Sequence, residues 1–155
     1  MRLVPAITLA LLLTCGCERS AEPSLPSPLV IDVVGRDYLW TFTYPGADQI
    51  LGTEDDLTVE KDLHLPSGHD VRLRLTSEDY IYTFRVSDLD LKEVAVPELQ
   101  FDLVFRTENK GKYVLEVDPL CAVQFLHDDQ MGWLVIEDHG DFERWLSDTR
   151  NQTHQ

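Results

Sequence analysis

Gly35-Arg36-Asp37-Tyr38-Leu39-Trp40-Thr41-Phe42-Thr43-Tyr44-Pro45 carries the clearest structural signal in the chain. Tyr38, Trp40, Phe42 and Tyr44 recur at every second position, with Leu39, Thr41 and Thr43 between them. Successive side chains of a strand point to opposite faces, so this period places the aromatics together on one face of a β-strand over 37–44. On its amino-terminal side, Leu29 to Val34 reads as another strand. On its carboxy-terminal side, Pro45 to Asp56 (PGADQILGTEDD) reads as a polar, glycine-bearing loop. Leu57 to Leu65 is a further strand, closed by the turn Pro66-Ser67-Gly68. Asp70 to Ser77 (DVRLRLTS) alternates cleanly, as do Tyr80 to Val86 and Gln100 to Arg106; Gly111 to Val117 and Gly132 to Glu137 complete the set. Only Asp141 to Asp148 (DFERWLSD) has helical spacing, with Phe142, Trp145 and Leu146 at i, i+3 and i+4. Roughly seven or eight short strands and one terminal helical turn predict a single all-β sandwich, mostly antiparallel. The domain is expected over 29–148, with its helix around 142–146 and a disordered tail at 149–155.

The chain has 155 residues, 43% of them hydrophobic, enough for one core of this kind. Thirteen Lys+Arg stand against 28 Asp+Glu, a net charge of −15. Such a chain repels phosphate backbones and anionic lipid heads, so nucleic-acid binding and polybasic membrane adhesion are excluded as readings. A basic protein partner, or simple solubility, fits the charge.

Residues 1–17 differ from the rest of the chain. Arg2 is their only charge, and Leu3 to Thr14 form an apolar run of about a dozen residues, a signal h-region rather than a span of about 20. The run ends in Leu13-Thr14-Cys15-Gly16-Cys17 and then Glu18-Arg19-Ser20. Small residues followed by Cys resemble the bacterial lipoprotein signal; Cys17, preceded by Gly16, is the expected lipid anchor, and Cys15 the lesser candidate. The mature chain would carry a net −16 and face the periplasm from a bacterial membrane. Cys121 would be its only thiol outside the anchor, so no intramolecular disulfide forms. Residues 18–28, rich in Pro and Ser, read as a semi-rigid tether.

Four segments in order resemble the periplasmic domain of cytochrome c oxidase subunit II, a cupredoxin-like Greek-key β-sandwich carrying the binuclear copper A centre. The aromatic stretch from Gly35 to Pro45 resembles the family's G-x-Q-W-x-W-x-F-x-Y-P strand. Leu63-His64-Leu65-Pro66-Ser67-Gly68, with Val71 to Asp79 (VRLRLTSED) after it, resembles its L-H-L-P-x-G…V-x-L-x-L-T-S-x-D block. Leu91 to Pro97 (LKEVAVP) resembles L-K-x-D-A-V-P-G, and Gly111-Lys112-Tyr113 the G-x-Y before the copper loop. The resemblance covers about Leu29 to Leu146. It implies respiratory electron transfer, with an oxidase catalytic subunit or a basic cytochrome c as partner.

The copper ligands do not match the family. Its first ligand His stands in D-V-I-H-S-F, where this chain has Asp79-Tyr80-Ile81-Tyr82-Thr83-Phe84. The remaining family ligands come from C-x-E-x-C-x-x-x-H-x-x-M. Aligned on His127, Pro119 and Val123 replace the two cysteines, Cys121 stands at the Glu and Gln130 at the Met. Two thiolates hold a copper pair together, and this pattern supplies neither. The sequence therefore predicts no cofactor and an accessory or binding module. The alternative is an electron carrier with one copper held by Cys121, His127 and Met131, which needs a second imidazole from elsewhere; Cys121 otherwise acts as a small hydrophobe.

Other features have bland readings beside sharper ones. Tyr82 reads as an amphipathic core tyrosine, with a redox tyrosine as the sharper reading. Asp48, Glu54, Asp55 and Asp56 around Gly52 read as a solvated hairpin rather than a Ca²⁺ clamp, because Asp-x-Asp-x-Asp spacing is absent. Asn151-Gln152-Thr153 fits a glycosylation sequon in what reads as a frayed tail. No Ser-His-Asp order, nucleotide loop, paired-carboxylate motif or zinc spacing is present, so no enzymatic activity of the chain alone is expected.

Overall fold

The computed structural model describes residues 27–116 and 130–153. The strands are β1 (Leu29–Arg36), β2 (Leu39–Tyr44), β3 (Leu57–Glu60), β4 (Asp62–Pro66) and β5 (Asp70–Ser77). They are succeeded by β6 (Tyr82–Val86), β7 (Leu91–Ala95), β8 (Phe101–Arg106), β9 (Gly111–Glu116) and β10 (Gln130–Glu137). One sheet runs in the order β3-β2-β1-β5-β8, a second in the order β4-β10-β9, and β6 and β7 pair with each other. Pairing is antiparallel except for β1 with β5 and β4 with β10, so the mostly antiparallel sandwich is as expected.

The alternation seen in the sequence is what fills the core. Ile31 and Val33 of β1, Trp40, Phe42 and Tyr44 of β2, and Val71, Leu73 and Leu75 of β5 are buried. They meet Leu63 and Leu65 of β4, Leu115 of β9 and Leu134 and Ile136 of β10 from the second sheet. Each such side chain contributes on the order of 1.5–3 kcal/mol by leaving water. Polar partners occupy the other face of the first sheet: Arg74 donates from Nε and Nη2 to Asp32, and Arg72 faces Asp102.

β1 runs on to Arg36 and β6 starts at Tyr82 rather than Tyr80, and three further differences from the sequence reading shape the fold. The single strand expected over Leu57 to Leu65 is two strands in different sheets. Lys61 breaks it in a left-handed conformation (φ 70°), its N–H donating to the Trp40 carbonyl at 2.9 Å. Gly132 packs against that corner: a Cβ there would sit 1.8 Å from the Lys61 carbonyl oxygen, so only glycine fits. Second, β2 starts at Leu39 rather than Asp37. Asp37 and Tyr38 (φ 48° and 61°) form a two-residue turn that sets Arg36 opposite Leu39, so Tyr38 leaves the aromatic row. Third, Leu91–Ala95 forms a strand that periodicity did not show, because its burial does not alternate.

The carboxy-terminal helix α1 (His139–Thr153) is longer than the turn expected around Phe142 to Leu146. It continues through 149–153, where a disordered tail was expected. Phe142 and Leu146 are buried in the core, and Trp145 packs beside them. Arg150 donates to the Pro45 carbonyl at 3.0 Å, and the hydroxyls of Thr149 and Thr153 donate back to the carbonyls of Trp145 and Thr149. These bonds carry the helix past the expected boundary, and the Asn151–Thr153 sequon lies in its last turn.

Candidate functional site at the tip of the sandwich

β1 and β5 run parallel, with Leu29 opposite Val71 and Gly35 opposite Ser77. Their carboxy ends therefore share one pole of the sandwich, the tip. Eight residues of strand separate it by about 25 Å from the other pole, the base. At the tip the Asp37-Tyr38 turn faces the segment Glu78 to Ile81, which leads into Tyr82 at the start of β6.

Asp79 and Tyr82 knit these pieces together. Asp79 Oδ2 accepts the Asp37 N–H at 2.8 Å, and its Oδ1 accepts its neighbour's N–H, that of Tyr80, at 2.8 Å. The Tyr82 hydroxyl donates to Asp79 Oδ1 at 2.7 Å and accepts the Tyr38 N–H at 3.3 Å. Desolvation pushes the Asp79 carboxyl up, but the hydrogen bonds from Asp37, Tyr82 and Tyr80 outweigh it and hold Asp79 below the usual carboxylate range. Burial, and then the carboxylate it faces, push the Tyr82 phenol up, so it stays protonated. The ring lies on Gly35, where a Cβ would meet Tyr82 Cδ2 at 2.5 Å. Tyr38 stacks on Tyr80 with centroids 5.6 Å apart and meets Tyr82 edge-on at 6.1 Å; Tyr82 packs on Trp40 at 5.6 Å.

The surface at this pole combines exposed apolar side chains with carboxylates. Tyr80, Ile81 and Leu99 are exposed by 56, 56 and 55%. Leu99 belongs to this pole because Phe101, two residues on, pairs with Leu75 near the end of β5. Asp37, Glu78 and Glu98 are exposed alongside, and Arg36 pairs with both Asp37 and Glu78.

Of the metal-site positions singled out in the sequence, Tyr82 is at the tip. Gln130 opens β10 opposite Glu116, and Met131 is buried within the core. Pro119, Cys121, Val123 and His127 lie outside the described residues, as do Cys15 and Cys17. Among the described residues no three His, Cys, Asp or Glu side chains converge as metal ligands. Tyr82 does not fit a soft copper ion: it is a protonated phenol engaged on both sides, and no imidazole among the described residues accompanies it.

The described histidines, His64, His69 and His139, all belong to the base. His64 Nδ1 lies 2.8 Å from Glu137 Oε1, and its ring stacks on Trp145 with centroids 4.2 Å apart. His69 stacks on His139 at 5.4 Å beside a cleft of about 770 Å³. Two of its polar groups are engaged: His69 Nδ1 lies 2.9 Å from the Ser67 carbonyl, and Arg74 is paired with Asp32. The acidic β2–β3 loop is likewise self-satisfied. Asp56 accepts from the N–H groups of Gly46, Gly52 and Thr53, Asp55 from that of Ala47, and Asp48 from that of Ile50. These bonds tie the loop's carboxylates to its own backbone. Sequence reasoning missed Asp79, whose only signal was its place three residues before Tyr82.

The order of strands, the two parallel pairs and the tip geometry define a cupredoxin-like sandwich. Structural comparison agrees: the periplasmic domain of subunit II of cytochrome oxidase from Bradyrhizobium japonicum superposes with a TM-score of 0.64. It is 15% identical and covers 80% of this chain and 94% of that one. The family model for the periplasmic domain of cytochrome c oxidase subunit II matches residues 29–131, and the chain belongs to that family. Cytochrome c oxidase subunit 2 of Thermostichus vulcanus is 32% identical over 130 residues, 84% of this chain and 36% of that protein. The subunit 2 of Synechocystis is 34% identical over 107 residues, 69% of this chain and 30% of that protein. The chain thus spans about a third of the length of these curated relatives. No helix among the described residues is long and apolar enough to cross a membrane.

Proposed function

We propose that this protein is a subunit II-like cupredoxin module of a respiratory oxidase system that works as a binding subunit without a copper A centre. The observation that carries the reading is Tyr82: in place of an imidazole stands a phenol whose proton is held by Asp79 at 2.7 Å. Pro119 and Val123 bring no side-chain donor to the loop, and Gln130 brings only a hard amide oxygen. The exposed apolar side chains and carboxylates of the tip suit a partner with apolar surface and basic surroundings, either the oxidase catalytic subunit or a basic cytochrome c. On this reading the protein has no catalytic activity by itself. It is exported and held at the periplasmic face of a membrane by lipid on Cys17, with 18–28 as tether.

The test is to load the full chain with copper under reducing and then oxidising conditions and to measure bound metal and visible absorption. No stoichiometric copper is expected; two coppers per chain with intense thiolate charge-transfer bands would overturn the reading. One tight copper, lost on Cys121→Ser and on His127→Ala, would establish the mononuclear carrier instead. Cys17→Ala is expected to release the protein into the soluble periplasmic fraction, and unchanged membrane association would overturn the anchor. Affinity purification from membranes is expected to bring down an oxidase catalytic subunit or a cytochrome c, and to fail on Tyr80→Asp with Ile81→Asp.

A further inference from the structure

A row of aromatic rings leads from solvent at Tyr80 through Tyr38 to Tyr82 and then Trp40, with centroid separations of 5.6, 6.1 and 5.6 Å. Tyr80 is exposed, whereas Tyr82 and Trp40 are buried. Contacts of this length couple neighbouring π systems closely enough for a charge to hop between them. Along that row, Tyr82 donates its hydroxyl to the Asp79 carboxylate.

We propose that Tyr82, with Asp79 as its proton acceptor, is a reversible one-electron redox site reached from the surface through Tyr38 and Tyr80. The inference rests on the reading that no metal takes the place of Tyr82. The oxidant required is an outer-sphere one-electron acceptor of high potential, such as a high-valent metal centre of a partner docked against Tyr80. One electron leaves the Tyr82 ring through Tyr38 and Tyr80 to that acceptor, which is reduced. The Tyr82 O–H bond breaks with its electron pair staying on the phenolic oxygen, and the proton bonds to Asp79 Oδ1. A neutral tyrosyl radical and a neutral carboxylic acid result, and a returning electron reverses both changes.

The surroundings favour Tyr82 over its neighbours. An oxidised phenol is a far stronger acid than any carboxylic acid, so transfer along a 2.7 Å bond is downhill even to a weakly basic carboxylate. Trp40 Nε1 is buried with no hydrogen-bond partner among the described residues, so an oxidised indole there has no base for its proton. Tyr44, the comparable buried phenol, donates to the His64 carbonyl, a much weaker base.

The test uses the full chain stripped of metal, oxidised by photogenerated tris(bipyridine)ruthenium(III) and frozen for electron paramagnetic resonance. The expected result is a neutral tyrosyl signal that Tyr82→Phe abolishes and Tyr44→Phe leaves intact. Asp79→Asn, which keeps the phenol and sits at an exposed position, is expected to slow formation of the signal and make its rate rise with added buffer base. Tyr80→Phe is expected to slow formation without removing the signal. A signal unchanged by Tyr82→Phe, or a rate unchanged by Asp79→Asn, would overturn the proposal. Failure of the copper reading would show instead as bound metal in the loaded chain.

Discussion

Tyr44 and Tyr82 are buried tyrosines at opposite poles of the same sandwich, and their hydroxyls are engaged in different ways. At the base, the Tyr44 hydroxyl donates to the His64 carbonyl at 3.0 Å and accepts the His64 N–H at 2.8 Å. Its two partners belong to one residue of β4, so the phenol fastens the end of β2 to that strand. Burial pushes this hydroxyl far above the usual phenol range, and it stays neutral. At the tip, the Tyr82 hydroxyl faces an ionised carboxylate and a turn N–H from separate segments. The base is a structural joint in which Tyr44 and His64 bond to each other beneath helix α1. The tip brings charge and exposed apolar surface together where two loops meet.

Substitutions at the two poles test this difference. The largest effect is expected from Gly35→Ala, whose new methyl would overlap the Tyr82 ring from Cγ to Cε2. Overpacking of this kind should cost about 3 kcal/mol in denaturant unfolding. It should also perturb the tip alone, leaving the near-ultraviolet signal of Trp145 in place. Tyr44→Phe should cost about 2 kcal/mol, because it strands the N–H and C=O of His64 in a half-buried joint. Tyr82→Phe should cost about 1 kcal/mol by the same measurement, since the Asp79 carboxylate it abandons is open to water. Equal losses at the two tyrosines would erase the distinction between joint and site.

Acid titration separates the poles further. The folded-state pKa of Asp79 is depressed, so its contribution to stability is present above the ordinary carboxylate pKa and is lost as pH falls through the folded value. Melting temperatures of the wild type and Asp79→Asn should therefore differ near neutrality and converge in acid. A difference that widens in acid would contradict the assignment. The smallest effect is expected at the base, where a Cβ on Gly140 would meet nothing within 4 Å. Gly140→Ala, in the first turn of α1, should stabilise by at most about 0.5 kcal/mol.

The core was legible because burial here tracks simple alternation: Trp40, Phe42 and Tyr44, Leu63 and Leu65, and Val71, Leu73 and Leu75 all point inward as the period of two requires. The breaks between strands were not legible, because distant residues set them. Lys61 turns where it meets the Trp40 carbonyl and the bare backbone of Gly132, and neither contact leaves a local mark in the sequence. Asp37 and Tyr38 resemble strand residues, yet their N–H groups donate to Asp79 and Tyr82, 42 and 44 positions away, and these bonds hold them in a turn. Tyr82 could be found by its motif position. Asp79 became part of the site only once the hairpin turn was seen to lean on it.

On the proposed reading the Tyr82 phenol, bound to Asp79, stands where the family resemblance implies an imidazole, and it leaves no copper pair there. The sharpest measurement follows the ring carbons of ¹³C-labelled tyrosine by NMR while copper is added to the full chain in both redox states, with Tyr82→Phe assigning the resonance. The Tyr82 resonance is expected to keep its position and intensity in excess copper. Its paramagnetic loss or shift at two equivalents of metal, with the other tyrosines unmoved, would contradict the metal-free assignment.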